Sequence, residues 1–391
     1  MGIGFVTLIT AHHTLNMNSF GNIFRITSFG ESHGAGIGVV IDGCPAGLDL
    51  DLNAIQHQLD LRRPGQSRIA TQRSETDRLE SLSGLSVGVT TGAPLAFLVR
   101  NEDHRPEDYG FLAQQFRPSH ADYTYFAKYG IRDVRGGGRS SARETIARVI
   151  GGAVARQLLA KTCGMRFRAW VSAVGEVEEG SSLGSTGEHV SRWLSAGGED
   201  GFSEGNCEMV RCPDPELAVQ MIAAIDAARA AGDSLGGVIS CSILNVPIGL
   251  GEPVYDKLHA RLGYAMLGIN AVKGFEIGSG FGGSRMRGTQ HNDTFYTDDL
   301  GRVRTRTNHS GGIQGGISNG EDIFFRVAFK PTSTILSRQD SVDTAGSAVT
   351  VEGKGRHDPC VVPRAVPIVE AMAALVMADF WLRGRSSKFA D

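Results

Sequence analysis

The sequence predicts an α+β fold, with antiparallel sheets packed on helices. Three observations carry this. Apolar residues recur at helical spacing behind recognisable caps, β-type runs lie between those helices, and the two kinds of element do not alternate in the steady rhythm of a doubly wound parallel sheet. In chain order, residues 37–41 read as a strand, 52–61 as a short amphipathic helix and 94–100 as a second strand. Ser141-Ala142-Arg143-Glu144 has the spacing of a capping box and opens a helix over 141–160, with Ile146, Val149, Ile150, Val154 and Leu158 on its apolar side. Asp214 and Pro215 supply an N-cap and a first-turn proline for a helix at 216–231, which Gly232 closes. A strand at 237–246, a helix at 254–271, strands at 323–329 and 348–352, and a helix at 366–383 complete the pattern.

Composition narrows the class. Of 391 residues, 41% are hydrophobic and 21% charged, enough apolar matter for a sizeable core. No Pro-rich, Ser-rich or single-charge run reads as a linker, so one large domain over residues 17–391 is expected. Met17 stands just before the patterned sequence begins. Residues 1–16 therefore read as an N-terminal extension outside that domain; they are apolar but lack the basic flank and cleavage site of a secretory signal. The net charge of −3 argues against nucleic acid or an anionic membrane as partner. No apolar stretch of about 18 residues suggests a membrane span. Six scattered cysteines without a C-x-x-C pair fit reduced thiols in the cytoplasm. Two excesses remain: 52 glycines, and 32 Arg against 7 Lys. The arginine excess suits either a GC-rich genome or bidentate recognition of phosphate and carboxylate.

Glycine clusters at Gly30-Glu31-Ser32-His33-Gly34, Gly136-Gly137-Gly138, residues 278–283 and residues 311–316. Such loops let backbone N–H groups approach an anion, although ordinary turn chemistry explains any one of them equally well. Residues 278–283 match G-x-G-x-x-G, but no apolar helical period follows, so they fail as a dinucleotide fingerprint. The densest candidate site is the segment 117–148. It holds Arg117, His120, Arg132, Arg135, Arg139 and Arg143, with Ser140 and Ser141 at a helix start that suits an anion. A second basic patch, Arg62-Arg63-Pro64-Gly65-Gln66-Ser67-Arg68, is expected on a loop, because proline and glycine end the helix. His33, His120 and His357 are the loop histidines available for proton transfer. No spacing suits a bound metal.

These segments together resemble the chorismate synthase family. They are Phe29-Gly30-Glu31-Ser32-His33-Gly34, Arg62-Arg63-Pro64-Gly65 with Arg68, Arg117-Pro118-Ser119-His120-Ala121-Asp122, and Gly136-Gly137-Gly138-Arg139-Ser140-Ser141-Ala142-Arg143-Glu144. Gly232-Asp233-Ser234-Leu235-Gly236-Gly237, Ile269-Asn270-Ala271-Val272-Lys273-Gly274, residues 311–320, Lys330-Pro331-Thr332-Ser333-Thr334 and Lys354-Gly355-Arg356-His357-Asp358-Pro359 follow in family order. The resemblance implies a helical layer sandwiched between antiparallel sheets, a cytoplasmic homotetramer, and a lyase of the shikimate pathway. That enzyme forms chorismate from 5-enolpyruvylshikimate 3-phosphate by 1,4-anti elimination of phosphate. It needs reduced FMN without net redox change, with NADPH as a candidate reductant.

The resemblance also assigns roles. Arg139, Ser140, Ser141, Asn270, Ala271, Gly315, Lys330, Pro331, Thr332, Ser333, Thr334 and Arg356 match flavin contacts. Arg62, Arg68 and Arg117 match positions for substrate anions or NADPH. His33 matches the acid that protonates the departing phosphate, and His120 a histidine beside the flavin pyrimidine edge. Asp358 matches the acid that takes the proton from flavin N5. Leu61 replaces an arginine common in the family, Ser119 replaces a glycine, and residues 297–306 are longer than in some relatives and are expected on a loop. A flavin- or NADPH-dependent oxidoreductase is the competing enzyme class, and an Arg-rich RNA-binding protein the competing non-enzyme. The missing dinucleotide fingerprint weighs against the first, and the near-neutral charge with 7% aromatics against the second.

Overall fold

The computed structural model, which describes residues 18–71, 75–102, 114–133, 137–180, 188–195, 202, 205–353 and 358–387, places a layer of helices between two five-stranded antiparallel sheets. The first sheet runs in the order Ser19–Phe20, Arg25–Gly30, Gly36–Asp42, Leu95–Arg100, Leu79–Ser83. Period-two alternation sends Ile26, Ile37, Val39, Ile41, Leu95, Phe97 and Val99 to one buried face. Register then aligns Ile26 with Ile41, Ile37 with Val99, and Val39 with Phe97 across neighbouring strands. The second sheet runs Val272–Ile277, Ile323–Phe329, Gly237–Leu244, Arg166–Val174, Val177–Glu178. Its inner face pairs Ile239 with Val327 and Val171, and Cys241 with Phe325 and Ala169.

Two helices form the centre of the layer. Thr145–Cys163 packs on the Gly36–Asp42 strand, and Val362–Gly384 on the Arg166–Val174 and Gly237–Leu244 strands. They also pack on each other, so closely that a Cβ on Gly152 would sit 2.3 Å from the Cβ of Ala371. Val362–Gly384 is long and apolar enough to cross a membrane, longer than the sequence reading allowed, and 89% of its most apolar window lies buried inside the molecule. Its two prolines hid the start. Pro363 sits in the first turn, where a missing N–H costs nothing. Pro367 withholds the N–H that would serve the carbonyl of Pro363, and the buried Arg211 donates to that carbonyl instead, at 2.8 Å.

Other boundaries shift for local reasons. Asp51 caps Leu52–Arg62 by accepting from the amides of Asn53 and Ala54, and the helix keeps Arg62 as its last residue. Ser141 accepts only from Arg143 N, capping a 3-10 turn at Ala142–Glu144. The expected capping box is therefore incomplete, and the α-helix begins at Thr145. Asp214 caps Pro215–Ala230 as expected. The expected 254–271 helix contracts to Leu258–Leu267, because Asn270 and Ala271 leave it to line a cavity, Ala271 with φ +69°. Residues 297–306 form most of a β-hairpin, Phe295–Thr297 with Val303–Thr305, rather than a loop. All six cysteines are free thiols.

Candidate active site

A cavity of about 970 Å³ opens beside the helical layer, at the upper end of the ~300–1,000 Å³ that holds drug-sized ligands. Its wall brings together Arg62, Arg117, His120, Arg139, Ser140, Ser141, Asn270, Ala271, Lys330, Thr332, Ser333, Thr334 and Asp358 from segments far apart in the chain. Arg143, Arg148 and Arg364 add further cations. Asn18, Ser19 and Phe20 also line the cavity, and the turn that follows them is tied down by the carboxylate of Asp379, which accepts from the amides of Asn22 and Phe24 at 3.0 and 3.1 Å.

The cations fall into two groups. Arg62 and Arg143 share the buried carboxylate of Asp77, at 2.9 and 3.0 Å, and Arg143 also meets Glu75 at 3.4 Å. Burial opposes the Asp77 charge, but the two guanidiniums outweigh it and hold its pKa below the ordinary carboxylate value. Arg148 pairs with Glu144, Arg364 with Asp358, and Arg117 with Asp122. Arg139 and Lys330 differ: among the described residues neither has a carboxylate within 4 Å. Arg139 instead donates to the carbonyls of Gly30 and Ser28, the Ser28 hydroxyl and the Asn18 amide oxygen. Among the described residues Lys330 meets the carbonyl of Pro331 at 3.2 Å, and burial together with nearby Lys273 lowers its pKa. The paired cations are aimed but largely neutralised locally, whereas these two bring uncompensated charge to the cavity.

Asp122 organises the histidine. It accepts from Arg117 Nε at 2.7 Å, Arg117 Nη2 at 2.9 Å and Arg132 Nη1 at 3.0 Å, and lies 2.9 Å from His120 Nδ1. Burial disfavours its charge, yet the bonds from Arg117 and His120 hold its carboxyl far below the ordinary range. His120 Nδ1 also lies 3.1 Å from Arg117 Nη2, but the closer carboxylate favours a proton on Nδ1, which leaves Nε2 as the acceptor of the neutral ring. His120 itself is pushed below its ordinary value, first by burial and then by Arg117, with Asp122 opposing. Gly137, at φ +91°, lies against this ring, and a Cβ there would come 3.4 Å from its Cε1. Ser119 takes φ +59°, a left-handed conformation that explains why glycine suits the position.

Asp358 is oriented from two sides: Thr71 N donates to Oδ1 at 2.9 Å, and Arg364 Nη1 bonds Oδ2. Asn270 donates to the Ser140 carbonyl at 3.0 Å, while its buried Oδ1 has no partner among the described residues. That acceptor is open to a donor from water or a ligand. With two uncompensated cations for a phosphate, and Ile26, Ala265, Val361 and Met372 as an apolar lining, these features fit a flat heterocycle that carries an N–H and a phosphate.

Other expected site residues fall elsewhere. Arg62 ends a helix, 2% exposed, rather than sitting on a loop. Arg68 lies outside the cavity and pairs with Asp226. Gly315 occupies the turn of a hairpin, Ile313–Gln314 with Ile317–Ser318, away from the cavity. Pro331 does not line it either, and His33 is buried on a turn just behind its wall. Arg356 and His357 lie outside the described residues. Sequence reasoning missed Asp77, Glu75 and Arg364. Asp122 carried a local trace, being two residues after His120 and five after Arg117.

Fold and site together define an α+β protein whose cationic cavity suits small polyanionic ligands of the phosphate kind. The comparisons with known proteins make that particular. A family profile described as chorismate synthase matches residues 24–382. Chorismate synthase of Cytophaga hutchinsonii is 57% identical over 369 residues, 94% of this chain and 98% of that protein. That of Christiangramia forsetii is 56% identical over 371 residues, 95% and 99% of the two chains. A crystal structure of chorismate synthase superposes with a TM-score of 0.72 at 32% identity, over 95% of both chains. The chain belongs to the chorismate synthase family. It is therefore a carbon–oxygen lyase of aromatic amino acid biosynthesis, forming chorismate by elimination of phosphate from 5-enolpyruvylshikimate 3-phosphate, in a family that uses reduced flavin.

Proposed function

We propose that this cavity holds reduced FMN and 5-enolpyruvylshikimate 3-phosphate side by side. Arg139, Ser140, Ser141, Asn270, Ala271, Lys330, Thr332, Ser333 and Thr334 would hold the flavin, and Arg62, Arg117 and Arg143 the substrate's anions. The observation that carries this is the sorting of charge in one cavity: aimed, carboxylate-backed guanidiniums beside two cations that have no carboxylate partner among the described residues. When bound, reduced flavin supplies the electron-rich ring that lets the allylic phosphate leave without net oxidation or reduction.

The chain's own groups supply the rest. Departure of phosphate places growing negative charge on the bridging oxygen, and cations already fixed by Asp77 and Asp122 stabilise it without reorganising. His33 delivers a proton to that oxygen. His120, neutral when the site is empty of anions, gains basicity when an anion arrives near Nε2, and so turns into a cation where one is useful. Asp358, steadied by Arg364 and Thr71, would hold its carboxylate where it can accept the proton from flavin N5, the role the family likeness gives it. NADPH as reductant, a homotetramer and a cytoplasmic location extend the proposal on the family likeness.

An anaerobic assay tests it. Purified protein, substrate, FMN and NADPH, without a separate reductase, are followed for phosphate. Release shows that the protein reduces its own flavin; release only after FMN is reduced chemically assigns that task to another protein. No release under either condition overturns the proposal.

A further inference from the structure

The turn that carries His33 hangs from two arginines of the cavity wall. On one side, Arg139 Nη1 donates to the carbonyl of Gly30 at 3.2 Å. On the other, Asn101 stands between the turn and Arg143. Its Nδ2 donates to the carbonyls of Glu31 at 2.9 Å and Gly34 at 2.7 Å, and its backbone N–H to Ala35 at 3.2 Å. Its Oδ1 accepts from Arg143 Nε. Only one amide orientation satisfies this set, because carbonyls accept and a guanidinium donates. Arg143 cannot drift, since its Nη1 is 3.0 Å from Asp77 and its Nη2 is 3.4 Å from Glu75. Every edge of the guanidinium is thus used, and the position of the turn is copied from the position of the wall.

We propose that Asn101 is a positioning residue: it ties the His33 turn to the guanidinium of Arg143, so that the general acid is registered against the anion-binding wall. It touches neither reactant. The inference rests on the reading of His33 as the acid that protonates the leaving phosphate. It adds that a side chain outside the cavity, together with the Arg139 bond to Gly30, sets the reach of that acid.

Three variants test this, each assayed at saturating FMN under anaerobic, reducing conditions with its thermal midpoint recorded. Asn101→Asp keeps the Oδ1 acceptor for Arg143 but replaces the two donors to the turn with an oxygen that repels both carbonyls. It should lose about 10- to 100-fold in kcat, a larger change than its new charge beside Arg143 makes in KM, as a modest misplacement of a catalytic group does. Asn101→Ala should behave alike. In the His33→Ala background, Asn101→Ala should cost less than about twofold further, because the group it positions is gone. A merely structural role would give a multiplied loss in that background, and this would overturn the proposal. So would wild-type kcat in Asn101→Asp with a thermal midpoint like the parent's. Full turnover in His33→Ala alone would instead remove the acid role of His33, and the inference with it.

Discussion

Asp77→Asn is the sharpest perturbation of the arginine wall. The side chain is fully buried and bridges Arg62 at 2.9 Å and Arg143 at 3.0 Å. Asparagine keeps its shape, and it tolerates the left-handed backbone that Asp77 adopts at φ +47° at least as well as aspartate does. The change therefore removes the charge and sets one amide N–H2 against a guanidinium that needs an acceptor. Breaking a buried ion pair by deleting one partner costs about 3–5 kcal/mol, since the remaining cations stay desolvated. At ~2.1 cal/mol/K per residue, unfolding 391 residues releases about 0.8 kcal/mol/K, so the thermal midpoint should fall by about 4–6 °C. The pH dependence has a definite sign. The folded-state pKa of Asp77 is depressed, so its contribution is complete above the unfolded carboxylate pKa and is lost as pH falls through the folded value. The gap in melting temperature between parent and variant should stay flat from about pH 5 to 8 and close only in stronger acid. Calorimetry across that range, with substrate KM measured in parallel, checks both parts. A shift below about 1 °C with unchanged KM would show that Asp77 does not hold the wall.

Arg139→Ala should weaken FMN binding about 10- to 100-fold, the equivalent of one charge-assisted bond of about 1.5–3 kcal/mol, as read by flavin fluorescence; unaltered affinity would move the phosphate elsewhere. His120 should titrate below its ordinary value of 6.5 in the ligand-free protein, because burial and Arg117 disfavour its cation. Asp122→Asn should lower that midpoint further by removing the group that supports the charge, and a rise seen by ¹⁵N NMR would contradict the assignment. Asp358→Asn should depress kcat far more than flavin affinity, and the reverse outcome in paired kinetic and binding assays would make Asp358 a binding residue.

How much of this was legible in the sequence depends on how local each cause is. Strands Gly36–Asp42, Leu95–Arg100 and Ile323–Phe329 announce themselves by alternation, and the Asp214 and Pro215 cap by its chemistry. Arg166–Val174 did not, because it is buried on both faces and shows no alternation. The start of Val362–Gly384 was hidden by Pro367, whose cost is relieved by Arg211, more than 150 residues away. The site divides in the same way. His120, Arg139 and Lys330 lie in dense segments that chemistry singles out. Asp77 lies 15 residues from Arg62 and 66 from Arg143, in a stretch with no motif, and only folding makes it their common partner. The glycine excess resolves in part: Gly137 makes room beside His120, whereas Gly315 serves a turn away from the cavity. Composition could not separate those two uses.

On the proposed function, this chain eliminates phosphate with a flavin that ends as it began. Under strict anaerobiosis, the protein is mixed with chemically reduced FMN and an excess of 5-enolpyruvylshikimate 3-phosphate, and flavin absorbance, chorismate and phosphate are recorded together. One phosphate and one chorismate should appear per substrate through many turnovers while the flavin remains reduced at the end. Oxidation of one flavin per product, or substrate recovered intact, would contradict the account.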